Sequence, residues 1–236
     1  MTKRFYEHAT AAEVSDEAGG GYCVELDGRA VKTPVGSPLV LPTRALAEAV
    51  AAEWEAQGEE IDPKSMDMMP LAGTALDRVP DVREGLIEGL LRYADTDLLC
   101  YRAGHPEDLA KRQYEVWQPL LDWAADELGG RLNVTEGVIP VTQDEAAHTA
   151  FKAVLVECSN WELTALGELV GISGSLVIGL ALYKGHIDVD QALTVCHVDE
   201  DHQIELWGED HEAKHSRENK AKDLRAAYTF LELTRA

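Results

Sequence analysis

Basic residues are scarce in this chain. Lys and Arg total 21 against 43 Asp and Glu, a formal net charge of −22. So acidic a surface repels phosphate backbones and anionic headgroups, which argues against nucleic acid or an anionic membrane as partner and suits solubility or a basic partner. Cysteine is sparse as well: Cys23, Cys100, Cys158 and Cys196 lie far apart in apolar runs, with no CxxC pair, and read as buried thiols of a reducing compartment. No disulfide is expected. The amino terminus, MTKRFYEHATAAEV, lacks both an apolar leader core and an acid-free, Arg- and Ser-rich presequence, so the protein is expected to stay where it is made. Asn133-Val134-Thr135 matches a glycosylation acceptor, which has no meaning without a leader.

No apolar run is long and clean enough to call for membrane insertion. Leu163 to Leu182, flanked by Trp161 and Tyr183, comes nearest, but it contains Glu168 and the breaker GISGS. It reads as two buried helices joined by a tight turn. A Walker loop, a GxGxxG after a strand and a GxSxG elbow are all missing, so nucleotide binding and a serine nucleophile have no support and no cofactor is expected. Internal repeats and low-complexity linkers are also lacking.

What is present is enough apolar side chain for a core, 45% of 236 residues. The chain is organised around Leu90 to Trp123. Leu109, Val116, Trp117, Leu120, Leu121, Ala124 and Leu128 recur at three- and four-residue steps and define one buried helical face, with Pro119 expected to bend the helix. Just before it, Asp95-Thr96-Asp97 reads as a break whose carboxylates cap the next turn.

Upstream, Tyr22 to Leu26 and Arg29 to Thr33 flank Asp27-Gly28, a strong hairpin signal because both turn positions need positive φ. Pro34, Gly36 and Pro38 then break the chain before Leu39 to Leu41. Beyond this the pattern is helical. Thr43 caps a helix carrying Leu46, Val50 and Trp54 and ending at Gly58, and short helices follow near Leu71 to Arg78 and from Val82. Met66, Met68 and Met69 read as core fillers, with an adaptable binding surface as the alternative. Arg131 to Thr142 contains Pro140 and reads as an edge or excursion. Capping-box spacings stand at Thr142/Glu145 and Ser159/Glu162, and Asp188 with Gln191 opens a helix carrying Leu193, Cys196, Leu206 and Trp207. A last helix carries Leu224, Ala227, Tyr228 and Leu231. These readings predict an α+β chain of two domains: a small antiparallel β domain at residues 1–42 and a larger α-helical domain at 43–236.

The sharpest local motif is His211-Glu212-Ala213-Lys214-His215, a literal HExxH. In zinc peptidases this spacing sets two imidazoles one turn apart on the metal with a carboxylate beside its water. Its flanks are polar on every side, Glu218 stands where the longer motif needs glycine, and Glu232 would be only a distant third ligand. A solvated helix start is the preferred reading. His197 and His202 raise the local density of imidazoles without requiring a metal site.

Taken together, LDGRAVKTP at Leu26 to Pro34, LPTRALAEAVAAEWEAQG at Leu41 to Gly58 and YADTDLLCYR at Tyr93 to Arg102 resemble the assembly chaperones that attend the α subunit of F1-ATPase. WQPLLDW, SNWELTALGEL and QIELWGED continue the resemblance in order along nearly the whole chain. It implies a β domain followed by a helical one and a non-enzymatic protein, expected to be a monomer. Such a protein holds the unassembled α subunit soluble and hands it to the β subunit. A free subunit exposes a large apolar interface prone to aggregation, and masking it needs a complementary surface rather than a catalyst. The family's acidic carboxyl-end surface carries over to Trp207, Glu209, Asp210 and Glu212; beyond Glu212 the sequence KHSRENKAK does not align residue by residue. The lack of a transit peptide points to a bacterial cytoplasm, with the mitochondrial matrix as the location of eukaryotic members.

Overall fold

A computed structural model describes residues 2–15 and 20–236. The chain packs as two compact units. One takes Met1–Arg83 with Ser159–Ala165 and Thr229–Ala236; the other takes Glu84–Cys158 with Leu166–Tyr228.

The first unit holds the antiparallel β structure. Strands β2 (Ala9–Glu13), β3 (Tyr22–Leu26) and β4 (Arg29–Ala30) form an antiparallel sheet in that order. Asp27 (φ 49°) and Gly28 (φ 77°) form the two-residue turn between β3 and β4 that the sequence marks. β2 carries no such signal: its ATAAE is alanine-rich, and it is a strand because every residue of it pairs with β3. Strand β1 (Thr2–Lys3) pairs antiparallel with β5 (Glu60–Ile61), which follows helix α1 (Arg44–Glu55). The Thr43 side chain accepts from the Leu46 N–H at 3.2 Å, as its cap role requires. That helix stops at Ala56, two residues before Gly58. Leu46 and Val50 are fully buried with Val24, Leu39 and Leu41, so the helix stripe and the inner sheet face make one core.

Helix α2 (Met68–Asp77) has no cap from its own N-cap residue, Asp67. Glu53 of α1 supplies it, accepting from the N–H groups of Asp67, Met68 and Met69 at 2.6, 2.6 and 2.9 Å. Burial raises the Glu53 carboxyl above its ordinary range while these three donors hold it down. Met66 and Met68 are buried, in keeping with gap filling.

The second unit is helical, and the antiparallel sheet followed by helices agrees with the expected α+β class. After α3 (Val79–Arg92), residues Tyr93–Thr96 and Leu98–Cys100 form two 3-10 turns. Helix α4 (Glu107–Leu128) runs on through Pro119. Trp117, Leu120, Leu121 and Ala124 of its predicted stripe are buried, and Trp117 donates its indole N–H to the Val195 carbonyl at 3.0 Å. Gly129 ends the helix in the left-handed region, and a Cβ on Gly130 would stand 2.2 Å from the Phe151 ring. The excursion after it yields one short strand, β7 (Thr135–Glu136), paired in parallel with β6 (Tyr101–Arg102).

Helices α5 (Glu145–Glu157), α6 (Asn160–Ser173) and α7 (Leu176–Tyr183) follow. The Thr142/Glu145 capping box does not form, because Asp144 takes the cap position. The Ser159/Glu162 exchange does form, with bonds of 2.8 and 3.2 Å. The expected turn inside the long apolar run is present at Gly174, and every residue from Leu176 to Leu182 is buried. Among the described residues no helix is long and apolar enough to cross a membrane.

Asp97 is the polar centre of this unit. Fully buried, it accepts from the N–H groups of Leu99 (3.1 Å) and Val177 (3.1 Å), and from Leu176 N–H and the Ser175 hydroxyl. It therefore caps the next turn, as the sequence predicts, and also caps α7 from 80 residues away. Burial raises its carboxyl to about 6 against the pull of those donors. The four cysteines are free and buried, and burial pushes the Cys196 thiol up to about 11.

Candidate docking site

Helices α8 (Val189–Cys196), α9 (Val198–Trp207) and α10 (His211–Leu233) present most of the residues that the sequence singles out. Asp188 and Gln191 form the reciprocal capping box at the start of α8. The sequence pattern implies one helix from there to Trp207, but the chain breaks at His197, where φ is −102° and ψ 9°. The new N-terminus gathers Asp199, Glu200 and Asp201 in the first turn of α9, where the helix dipole favours acids. Its C-terminus ends at Gly208 with φ 84°.

That ending exposes an apolar pair. Trp207 is 77% exposed and Leu206 57%, large values for side chains of this size. Carboxylates follow immediately. Glu209 pairs with Lys214 at 3.6 Å, Asp210 accepts from Ala213 N–H at 3.4 Å, and Glu212 is exposed on the first turn of α10. All four expected docking residues, Trp207, Glu209, Asp210 and Glu212, thus lie within six consecutive positions at one turn.

Two clefts lie between the facing sides of α9 and α10. One, of about 340 Å³, is lined by Glu200, Ile204, Trp207, Asp210, Ala213 and Arg217. The other, of about 420 Å³, is lined by Leu193, His197, Asp201, Ile204, Glu209 and Arg217. Arg217 lines both and is held by Asp201 at 2.7 Å and Glu200 at 4.0 Å. A bidentate pair between Arg112 and Glu205, at 2.9 and 2.8 Å, ties α9 to α4 and holds the Glu205 carboxyl below its ordinary range. His197 is buried with its Nε2 3.6 Å from Glu200, and burial lowers its basicity. Sequence reasoning missed the Arg112 partner of α9 because it comes from α4, 93 residues before Glu205.

The HExxH residues do not converge on a metal centre. His211, Glu212 and His215 are all exposed at the start of α10, and Glu232 belongs to the last turn of the same helix. Among the described residues no group of three or more His, Cys, Asp or Glu side chains is placed to hold a metal ion. The peptidase reading therefore has no geometric support. What the turn offers is an exposed apolar pair flanked by carboxylates.

A family model described as ATP12 chaperone protein matches residues 3–125. Two mitochondrial proteins named atp12 align with most of the chain. That of Schizosaccharomyces pombe is 25% identical over 218 residues, covering 87% of this chain and 74% of its own. That of Saccharomyces cerevisiae is 22% identical over 251 residues, covering 88% and 77%. The crystal structure of Atp12 from Paracoccus denitrificans superposes with a TM-score of 0.92 at 40% identity, over 99% of this chain and 98% of that one. A crystal structure from Agrobacterium tumefaciens gives 0.92 and 40%, over 98% and 85%.

Proposed function

The chain belongs to the ATP12 chaperone family, and from that premise we propose that it binds the unassembled α subunit of F1-ATPase, masks its aggregation-prone interface and releases it to the β subunit. The observation that carries this reading is the α9–α10 turn, where Trp207 stands 77% exposed beside Glu209, Asp210 and Glu212. A large aromatic side chain left in water is costly unless a partner covers it, and a ring of carboxylates selects a partner whose matching patch is basic. The formal charge of −22 strengthens the steering of such a partner. Catalysis has no part in this function: masking ends when the β subunit competes for the covered interface.

The chaperone acts as a monomer, in the cytoplasm of a bacterium. The test is capture of free α subunit by the immobilised chain from a lysate in which the α subunit is made without its β partner. Retention of the α subunit by the wild-type chain, and its loss when Glu209, Asp210 and Glu212 are changed to Lys, is the expected result. Retention that is indifferent to those changes would move the docking surface elsewhere.

A further inference from the structure

The first unit carries a second surface that the α9–α10 reading does not use. Among the described residues β4 is an edge strand, bonded to β3 on one side only. In a two-residue hairpin the Leu26–Arg29 pair closing the turn is hydrogen-bonded, so in the next pair, Glu25–Ala30, the main-chain groups of Ala30 point away from β3. The Val31 N–H returns to the Val24 carbonyl at 2.8 Å, and Val31 O and Thr33 N bond to Leu39 and Ser37. The main-chain groups of Lys32 therefore point outward like those of Ala30. Neither residue's main chain has a hydrogen-bonding partner among the described residues.

This open edge lines an apolar groove. Val31 and Thr33 are buried while Arg29, Ala30, Lys32, Pro34 and Val35 are exposed. Along the edge runs a cavity of about 510 Å³ lined by Phe5, Ala30, Lys32 and Trp54. It shares Lys32 and Trp54 with a second cavity of about 490 Å³, lined by Pro34, Val35, Met66, Met69 and Pro70. Phe5 and Val35 are 69% and 75% exposed. The rim is locally basic in a strongly acidic chain: Arg29, Lys32 and Arg78 stand there with Asp27 and Asp77. Asp27 is committed, its carboxylate accepting from the N–H groups of Glu7 and His8.

We infer that this groove binds an extended peptide segment, which adds as a strand beside Ala30 and Lys32, sets apolar side chains against Trp54, Val35 and Met69, and places an acidic side chain at Lys32. Each feature selects part of the occupant. Unpaired main-chain groups at alternate residues call for an extended segment, methionine and proline walls accept varied apolar side chains, and the basic rim favours an acid. A lysine on an open edge is also a device against edge pairing, and here it makes the pairing selective. A second copy of the chain is a poor occupant, since the antiparallel register that pairs these groups sets Lys32 opposite Ala30, where it meets no acid, between two molecules of charge −22.

The test uses a fluorescein-labelled octapeptide alternating Val and Glu, a stringent probe because the protein as a whole repels it. Fluorescence anisotropy should show saturable binding by the full chain. N-methylation of alternate amides, which blocks strand pairing, should weaken binding about tenfold or more. Lys32→Glu, at an exposed position, should weaken the Val/Glu peptide about tenfold and tighten a Val/Lys peptide. Val35→Asp should also weaken the Val/Glu peptide. No binding up to about 1 mM, equal binding of the N-methylated peptide, or an affinity unmoved by Lys32→Glu would each overturn the inference. So would concentration-dependent dimerisation lost in Lys32→Glu. Because the probe is not the α subunit, these outcomes stand whether or not the α9–α10 surface docks that subunit.

Discussion

Replacing Asp97 by Asn removes a buried titrating group together with one acceptor oxygen, and the loss of titration makes the pH dependence of its effect calculable. The folded protein holds this carboxyl at about 6 against an ordinary value of 3.8, chiefly because burial disfavours the ion. A raised carboxyl means that the folded state binds the proton more tightly than the unfolded chain. The resulting stabilisation is complete below the unfolded value and is lost as pH rises through the folded one. Its full span is about two pKa units, or about 3 kcal/mol, and about 1.4 kcal/mol of that is lost between pH 5 and pH 7.5. Asn does not titrate. Whatever Asp97→Asn costs by leaving an N–H of Leu99 or Val177 without an acceptor, the advantage of the wild type over the variant should shrink by about 1.4 kcal/mol from pH 5 to pH 7.5. Urea titrations followed by tryptophan fluorescence, at protein concentrations low enough to avoid precipitation near the pI of 4.6, measure both chains at each pH. A difference that is constant with pH, or that grows as pH rises, would refute the argument that burial dominates over the donors at this site.

Gly130→Ala should cost about 1–3 kcal/mol in the same assay, because its Cβ would meet the fully buried Phe151 ring at 2.2 Å and the core cannot yield that distance cheaply. His211→Ala should leave both α-subunit capture and thermal stability unchanged, since the imidazole is exposed; loss of stoichiometric zinc together with a peptidase activity would contradict this. Association of the wild-type chain with the α subunit should slow as salt rises from about 50 to 500 mM, because the exposed carboxylates of the α9–α10 turn steer rather than anchor.

Local signals in this chain were readable and long-range ones were not. Asp27-Gly28, Thr43, Ser159 with Glu162, and Asp188 with Gln191 each act within four residues, so spacing alone identifies them. Glu53 and Asp97 are caps too, but they serve helices that start 15 and 79 residues further on, and no local pattern marks a carboxylate for a distant N-terminus. The break at His197 is hidden for a similar reason: no glycine or proline marks it. At the candidate site the acids and the tryptophan were legible as residue types. Exposure was not, because helical periodicity places Leu206 and Trp207 with Leu193 and Cys196 until the break rotates α9 away. The edge of β4 was half legible: the turn predicts the hairpin, but only the pairing of the neighbouring strands shows which side of it stays open.

The most direct measurement of the central claim is light scattering from F1 α subunit diluted out of denaturant. With the wild-type chain present at equimolar ratio, scattering should fall to near that of the buffer. With Glu209, Asp210 and Glu212 all changed to Lys, it should rise most of the way back, because each exchange puts repulsion where the proposal places attraction. Undiminished scattering with the wild-type chain would contradict the account, and so would equal suppression by the reversed variant.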